Sequence, residues 1–166
     1  RSGCGTRSGE SGQGSQAGGE GFTVSDESRD RQGAEGKTLG TGVSRKALDP
    51  TGRKFKEFYT DGLELIPEFF PSGTFAKKYD NKKAKVITSI AMFYDLQEPN
   101  KFVSDIKKCL DENGLWVVQM SYLPLMLSEN NFDNLCSEHL EFYSLFSLEN
   151  LLKRHGFEVV DMELND

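Results

Sequence analysis

The sequence predicts an α/β fold in which helices cover both faces of a parallel sheet. Two observations support this fold class. Strand-like and helix-like segments alternate after residue 46, an order typical of parallel sheets with right-handed crossovers. The clearest strand, residues 85–93, is a short run of apolar and β-branched residues, as expected for a strand buried on both faces.

Residues 1–46 differ in composition from the rest of the chain. They hold most of the 17 glycines and a single aromatic residue, Phe22. Such a segment buries too little apolar surface to offset the entropy of ordering. Its glycine spacings, such as Gly12 and Gly14, follow no apolar strand, so they lack the context of a nucleotide-binding loop. We therefore expect a disordered Gly/Ser-rich leader over 1–46 and one partial domain over 47–166.

The first elements of the domain are short. A strand ends at Leu48, and Asp49 with Pro50 begins a turn at its carboxyl edge. Residues 53–59 have helical spacing, which predicts that three aromatic side chains face the core: Phe55, Phe58 and Tyr59. A strand over 63–70 is expected to leave the sheet at Pro67, because proline has no N–H for a central ladder.

The second half alternates helix and strand. Apolar residues at steps of three and four predict an amphipathic helix over 100–110, with Cys109 facing the core and chemically inert. A turn over 111–114 then leads to a strand over 115–120, in which Leu115 and Val117 are expected to be buried, so that Val117→Asp would prevent folding. A further helical segment covers 125–130. Three features end the chain: a helix capped by Ser147, a stop at Gly156 and a strand over 157–164.

Charge and cysteine content exclude several classes of protein. The net charge is −6 and the basic residues form no stripe, which argues against a nucleic-acid partner. No apolar run approaches the ~20 residues of a membrane span, and no signal-peptide core is present, so we expect a cytoplasmic protein without membrane contact. The 3 cysteines form no CxxC pair, which argues against a disulfide framework and a zinc cluster, and no metal is expected.

Four segments resemble a known family: residues 85–95, 113–122, 138–144 and 155–161. In order and spacing they are similar to the S-adenosylmethionine-dependent C-methyltransferases that act on nucleotide-linked keto-deoxysugars. The resemblance implies a class I methyltransferase-like, Rossmann-like fold, S-adenosyl-L-methionine as cofactor and a nucleotide-linked sugar as small-molecule substrate. It covers only the later part of the catalytic domain, so the fold is expected to be incomplete at the N-terminus and truncated at the C-terminus.

The same resemblance implies cofactor contacts. The family's acidic ribose-binding residue matches Asp49, and its acidic-aromatic step beside the adenine matches Glu68 and Phe69. Ser89, at the carboxyl end of the central strand, is expected to line the cofactor cleft. The family's glycine-rich loop has no match in the leader, which we interpret as an unrelated or frame-shifted sequence; the alternative is a protein that has lost its grip on the cofactor. The chain as given is therefore expected to bind S-adenosylmethionine weakly or not at all.

Catalytic residues are implied at the family motif Tyr-His-Glu-His. The matching positions here are Cys136, Ser137, Glu138 and His139, so two of the four residues differ. His139 falls on the general base and Glu138 on its carboxylate. An imidazole titrates near neutral pH, which independently makes His139 the natural proton acceptor, with Tyr143 as a further candidate.

Other interpretations remain open from the sequence. Asp49 and Pro50 also fit a plain turn, Phe69 also fits simple packing, and His155 at a helix C-terminus needs no catalytic role. A non-catalytic methyltransferase-like interaction module, or an inactive remnant, is the main alternative function. A nicotinamide oxidoreductase would need a strand-linked GxGxxG, which the sequence lacks. The oligomeric state is not predicted.

Overall fold

A computed structural model of the chain describes residues 22–27, 43–59, 62–71 and 82–164. Five strands form one sheet: β1 (Phe22–Glu27), β2 (Val43–Leu48), β3 (Leu63–Ile66), β4 (Ala84–Ile90) and β5 (Leu110–Gln119). Three helices follow the later strands: α1 (Pro99–Cys109), α2 (Leu123–Ser128) and α3 (Leu145–Arg154). Two 3-10 helices, Gly52–Phe58 and Phe93–Asp95, follow β2 and β4.

The strand order in the sheet is β3-β2-β1-β4-β5, the order of a doubly wound α/β sheet. β2 is parallel to β3, and β4 is parallel to β5. β1 lies between the two pairs and is antiparallel to both β2 and β4. The four strands other than β1 therefore run in one direction, so the predicted parallel sheet is confirmed for them and is wrong for β1.

Two stretches of the predicted leader are strands in the structure. β1 lies wholly within residues 1–46, and β2 begins at Val43. The expectation of disorder is therefore wrong for 22–27 and 43–46, and the rest of the leader lies outside the described residues. Composition missed β1 because four of the six residues of its sequence, FTVSDE, are polar. Backbone pairing with strands on both sides satisfies its donors and acceptors.

The core lies between the sheet and the helices that cover it. α1 contributes Phe102, Val103 and Ile106 to this core, which confirms the predicted amphipathic helix. Cys109 is half-buried at the end of α1, and burial raises the pKa of its thiol, in keeping with an inert side chain. The buried core consists of Leu48, Ile66, Ala84, Ile87, Phe93, Phe102, Val103, Ile106, Leu110, Tyr143, Leu151 and Leu152.

β5 differs from its prediction in length and burial. It begins at Leu110, so the expected turn over 111–114 is part of the strand, with a register irregularity opposite Ala84 and Val86. Val117 is 41% exposed and Leu115 is 48% exposed, so the expectation that both are buried is wrong. β5 lies at the edge of the described sheet, and alternate side chains of a strand point to opposite faces, of which only one faces the core.

The exposed aromatics of the first 3-10 helix also contradict the sequence prediction. Phe55 is 49% exposed and Phe58 is 73% exposed, because this short helix carries non-helical backbone angles at Phe55 and presents no continuous apolar side. β3 does end before Pro67, as predicted. Pro67 is half-buried just beyond the strand.

The start of α3 and the segment that follows α3 also differ from the sequence predictions. The helix cap is Ser144, whose Oγ accepts the backbone N–H of Ser147 at 3.2 Å, while the Oγ of Ser147 accepts the backbone N–H of Ser144 at 2.9 Å. This capping box places Ser147 inside the helix rather than at its cap. Gly156, with a φ of +72°, ends the helix as predicted. Residues 157–164 form no regular strand, contrary to expectation.

The burial pattern of β4 and β5 predicts which truncations destabilise the fold. Ile87→Ala removes a fully buried side chain and is expected to lower the free energy of unfolding by about 2 to 5 kcal/mol, through lost burial and a residual cavity. Val117→Ala should lower it by less than about 1 kcal/mol, because Val117 is largely exposed. Equilibrium urea unfolding of both variants measures the difference, and equal losses would contradict the assigned burial.

Candidate functional site

The carboxyl ends of four strands meet at one edge of the sheet. Phe22 pairs with Leu48 of β2 and with Ser89 of β4, so the residues that follow these two strands lie at the same edge on either side of β1. The backbone N–H groups of Asp49 and Glu68 both donate to the carbonyl of Ile66, at 3.2 and 2.8 Å. In doubly wound sheets, ligands bind beside this edge.

Asp49 is a buried polar group at this edge, with several hydrogen bonds. Its carboxylate is buried, and its Oδ1 accepts the backbone N–H of Thr51 at 2.7 Å and the hydroxyl of Thr51 at 2.8 Å. Its Oδ2 accepts the hydroxyl of Tyr59 at 2.7 Å. Asp49 begins the turn expected from the sequence, and its buried carboxylate lies at the carboxyl end of β2.

These hydrogen bonds set the charge of the Asp49–Tyr59 pair. Burial raises the pKa of Asp49, but the hydrogen bonds from Tyr59, Thr51 and the Gly52 backbone outweigh burial, so the net pKa lies below its ordinary value. Burial, followed by the hydrogen bond and the charge of Asp49, raises the pKa of Tyr59 to about 12. At neutral pH the pair is therefore a carboxylate acceptor and a phenol donor.

Gly52 makes the approach of Tyr59 to Asp49 possible. A Cβ at this position would lie 2.6 Å from Cδ1 of Leu65, 3.0 Å from the Tyr59 hydroxyl and 3.2 Å from Oδ2 of Asp49. Any larger residue would push the phenol and the carboxylate apart. Gly52 and Tyr59 were not assigned to the site from sequence, where Tyr59 was interpreted as a core aromatic.

The other predicted cofactor residues lie in different surroundings. Glu68 is half-buried and Phe69 is 61% exposed, both just beyond β3 at the same edge. Ser89 is fully buried, and its hydroxyl accepts the indole N–H of Trp116 at 3.0 Å. The side chain of Ser89 therefore belongs to the core beneath the edge, and the structure does not bring its hydroxyl to a cleft.

His139 is held against the turn that follows β4. The backbone N–H groups of Leu140 and Glu141 both donate to the carbonyl of Tyr94, each at 3.0 Å. The imidazole packs on the Tyr94 ring with a centroid separation of 4.3 Å. β4 ends at the same edge as β2, so the turn that holds His139 follows a strand end at the edge that carries Asp49.

A single hydrogen bond defines the proton acceptor of His139. Its Nδ1 lies 2.7 Å from the carbonyl oxygen of Asn134. A carbonyl only accepts, so Nδ1 carries the proton and donates, and in the neutral ring Nε2 is the unprotonated nitrogen. The half-buried imidazole is thus arranged to take up a proton at Nε2.

The two other catalytic candidates differ from His139. Glu138 is exposed, and the pKa of its carboxyl is lowered by its own backbone N–H first, then by Ser137 and Cys136, with the charge of His139 contributing least. Tyr143 is buried in the core, 5.4 Å from the ring of Phe93. Burial, with a smaller contribution from the charge of Glu141, raises the pKa of Tyr143 to about 12, so it remains protonated at neutral pH. Of the three candidates, His139 alone is an imidazole, with one ring nitrogen bonded to a backbone carbonyl and a second that can accept a proton.

Three further findings limit the kind of site. His155, at the end of α3, lies 3.2 Å from Oδ1 of Asn100 through its Nε2, an exposed contact between α3 and α1. Within 22–27, 43–59, 62–71 and 82–164, no group of three or more His, Cys, Asp or Glu side chains is placed to hold a metal ion. No helix in the same part of the chain is long and apolar enough to cross a membrane.

Comparison with known proteins identifies the class to which this fold and site belong. The profile of a methyltransferase domain matches residues 18–162. The chain therefore belongs to the methyltransferase domain family, which confirms the resemblance predicted from the sequence. The match begins at residue 18, so it includes β1 and β2 and extends well into the predicted leader.

A curated relative is the C-methyltransferase NovU of Streptomyces niveus. It is 30% identical to this chain over 108 residues, which make up 63% of this chain and 25% of NovU. The chain thus matches about a quarter of the length of that protein.

The lowered pKa of Asp49 predicts a pH-dependent contribution to stability. A carboxyl whose folded pKa is depressed stabilises the fold above its unfolded pKa, ordinarily near 3.8, and this stabilisation is lost as the pH falls through the folded pKa. Asp49→Asn lacks this contribution, so wild type should exceed the variant in stability at neutral pH, and the gap should narrow on acidification. Urea midpoints measured from about pH 7 to about pH 3 check this, and a constant gap would refute it.

Proposed function

We propose that this methyltransferase domain takes part in C-methylation, in which a methyl group passes from S-adenosylmethionine to a carbon next to a ketone. The substrate we propose is a nucleotide-linked deoxysugar, and the location is the cytoplasm predicted from the sequence. The observation that carries the proposal is that Asp49 directly follows β2, while the turn that holds His139 follows β4, and both strands end at one edge of the sheet. Asp49 is proposed to serve binding and His139 proton transfer. The match to a C-methyltransferase supports it.

The cofactor is proposed to bind at the ends of β2 and β3. An ionised, buried carboxylate such as Asp49 fits the two hydroxyls of a ribose, because each of its oxygens accepts a hydrogen bond. Glu68 and Phe69, just beyond β3, are proposed to border the adenine. Ser89 is proposed to help form the cofactor site by its position in β4. Its hydroxyl is not proposed as a cofactor contact, because it already accepts the indole N–H of Trp116. When bound, S-adenosylmethionine supplies an electrophilic methyl group.

The base is proposed to be His139. Its Nε2 would take the proton from the carbon next to the ketone, and the electron pair of the broken C–H bond would form an enolate. S-adenosylmethionine, when bound, would supply the methyl group to that carbon, with its C–S bond broken and the thioether S-adenosylhomocysteine as the leaving group. The hydrogen bond from Nδ1 to the Asn134 carbonyl holds the ring in the required tautomer and favours the imidazolium that forms. The carboxylate of Glu138, the neighbour of His139 in sequence, also favours that cation.

One observation favours the alternative of a non-catalytic methyltransferase-like module. Both oxygens of the Asp49 carboxylate already accept hydrogen bonds from within the chain, from Thr51 and from Tyr59. A domain that no longer binds a cofactor would gain from such internal pairing, because a buried carboxylate without donors is costly. Isothermal titration with S-adenosylmethionine separates the two functions, since only the first requires saturable binding that Asp49→Asn weakens.

The proposed base predicts a specific kinetic change. In the protein that carries this domain, His139→Asn should lower kcat by about 100-fold or more, the usual range for loss of a general base, while the affinity for S-adenosylmethionine stays nearly unchanged. The matched control is His155→Asn, which removes the other imidazole and should leave kcat close to wild type.

The proton-transfer step itself can be measured without methyl transfer. Exchange of the proton next to the ketone of a nucleotide-linked keto-deoxysugar with solvent deuterium, followed by NMR, should be slow in His139→Asn and normal in His155→Asn. If His139→Asn exchanges this proton as fast as wild type, another group is the base.

A further inference from the structure

The carboxylate proposed to hold a ribose is already shared between two kinds of internal donor. Thr51 supplies two of them, its backbone N–H and its hydroxyl, both to Oδ1 and both from a position only two residues along the same turn. Tyr59 supplies the third, to Oδ2, from ten residues along the chain. A carboxylate offers about four acceptor positions, so Oδ1 is filled by a local turn and Oδ2 by a more distant residue.

The segment that carries Tyr59 is short and mostly exposed. It is a 3-10 helix of seven residues with non-helical angles at Phe55. Gly52 is the buried residue of this helix, while its aromatic side chains, Phe55 and Phe58, are 49% and 73% exposed. Short 3-10 segments have weaker hydrogen-bond geometry than α-helices, so this segment is easily displaced.

A phenol and a sugar hydroxyl offer the same chemistry to a carboxylate, a single O–H donor at 2.7 to 2.8 Å. We infer that Tyr59 is an internal competitor for Asp49, whose hydroxyl holds Oδ2 in the ligand-free chain and leaves when a ribose hydroxyl takes its place. This inference rests on the proposed function, because it takes a cofactor ribose as the occupant. Gly52 provides the space in which the two donors exchange, since a Cβ there would touch both Asp49 and Tyr59.

The exchange keeps the buried carboxylate paired at every stage. When the Tyr59 hydroxyl is bound, the carboxylate of Asp49 accepts hydrogen bonds from Tyr59 and Thr51. When the ligand is bound, the carboxylate accepts hydrogen bonds from the ribose and Thr51. An unpaired buried carboxylate is never formed, which removes a large desolvation cost from the empty state. The cofactor must in return displace one hydrogen bond to a charged group, so Tyr59 lowers the apparent affinity of the site.

Calorimetric titration with S-adenosylhomocysteine tests the competition. Tyr59→Phe removes the competing hydroxyl and keeps the ring, so it should bind S-adenosylhomocysteine about tenfold more tightly than wild type, the factor expected for one hydrogen bond to a charged group. Phe55→Leu changes an exposed aromatic of the same helix and is the matched control, expected to bind like wild type. Equal or weaker binding by Tyr59→Phe overturns the inference.

Backbone amide exchange supplies a second readout that does not depend on the variant folding well. In wild type, saturation with S-adenosylhomocysteine should speed exchange at the amides of Lys54 and Tyr59, which bond to Thr51 and Lys56 within this segment, because the segment is released. Slower exchange on ligand binding would overturn the inference. Most bound ligands protect the segments they contact, so acceleration here is a distinctive result.

The two failures can be told apart. If S-adenosylhomocysteine binds and Asp49→Asn weakens it, but Tyr59→Phe has no effect and exchange does not accelerate, the proposed function stands and the competition by Tyr59 is wrong. If wild type, Tyr59→Phe and Asp49→Asn all fail to bind S-adenosylhomocysteine, the assignment of Asp49 to the cofactor is wrong and the inference falls with it.

Discussion

Burial of the Phe93 ring is the constraint on which the remaining structure depends. Phe93 follows β4 directly and is fully buried. Its ring lies 6.1 Å from Phe102 of α1, 5.7 Å from Trp116 of β5 and 5.4 Å from Tyr143, which precedes α3. One side chain thus joins a helix, an edge strand and the C-terminal helical segment, and edge-to-face and tilted ring pairs of this kind add stabilisation beyond the area they bury.

The chain accepts local strain to bury that ring. Ala91, two residues before Phe93, has a φ of 51°, a left-handed conformation that costs a non-glycine residue roughly 1 to 2 kcal/mol. The sharp turn lets the Ala91 N–H bond to Gln119 of β5 at 3.0 Å and directs the next residues into the core. Full burial of a large apolar side chain offsets a cost of this size. The next residue, Tyr94, then presents its carbonyl to the His139 segment, so the same turn that completes the core also positions the proposed base.

Sequence patterns predicted the elements that are defined by a regular local pattern of apolar residues. The spacing of α1 and the apolar run of β4 are such patterns, and both elements lie where expected. β1 escaped prediction because long-range pairing with β2 and β4, rather than apolar composition, defines it as a strand. Val117 was expected to be buried because it is apolar. Residue type alone does not reveal that its strand, β5, lies at the edge of the sheet. In the site, the place of Asp49 was predictable from a strand followed by a turn, whereas its contact with Tyr59 depends on ten residues of chain folding back.

Asp49 and His139 suit different steps because their environments constrain charge differently. A group that holds a ligand by hydrogen bonds must keep its charge, and the donors around Asp49 keep its pKa low even though burial opposes this. A group that moves a proton must change its charge in each cycle, so it needs one nitrogen fixed and the other able to exchange. The Asn134 carbonyl fixes Nδ1 of His139 and leaves the chemistry to Nε2. β2 and β4, the strands that precede Asp49 and the Tyr94 turn, lie on either side of β1, so the antiparallel direction of β1 leaves both of their carboxyl ends at one edge. The proposed binding and proton-transfer groups therefore both follow strand ends at that edge.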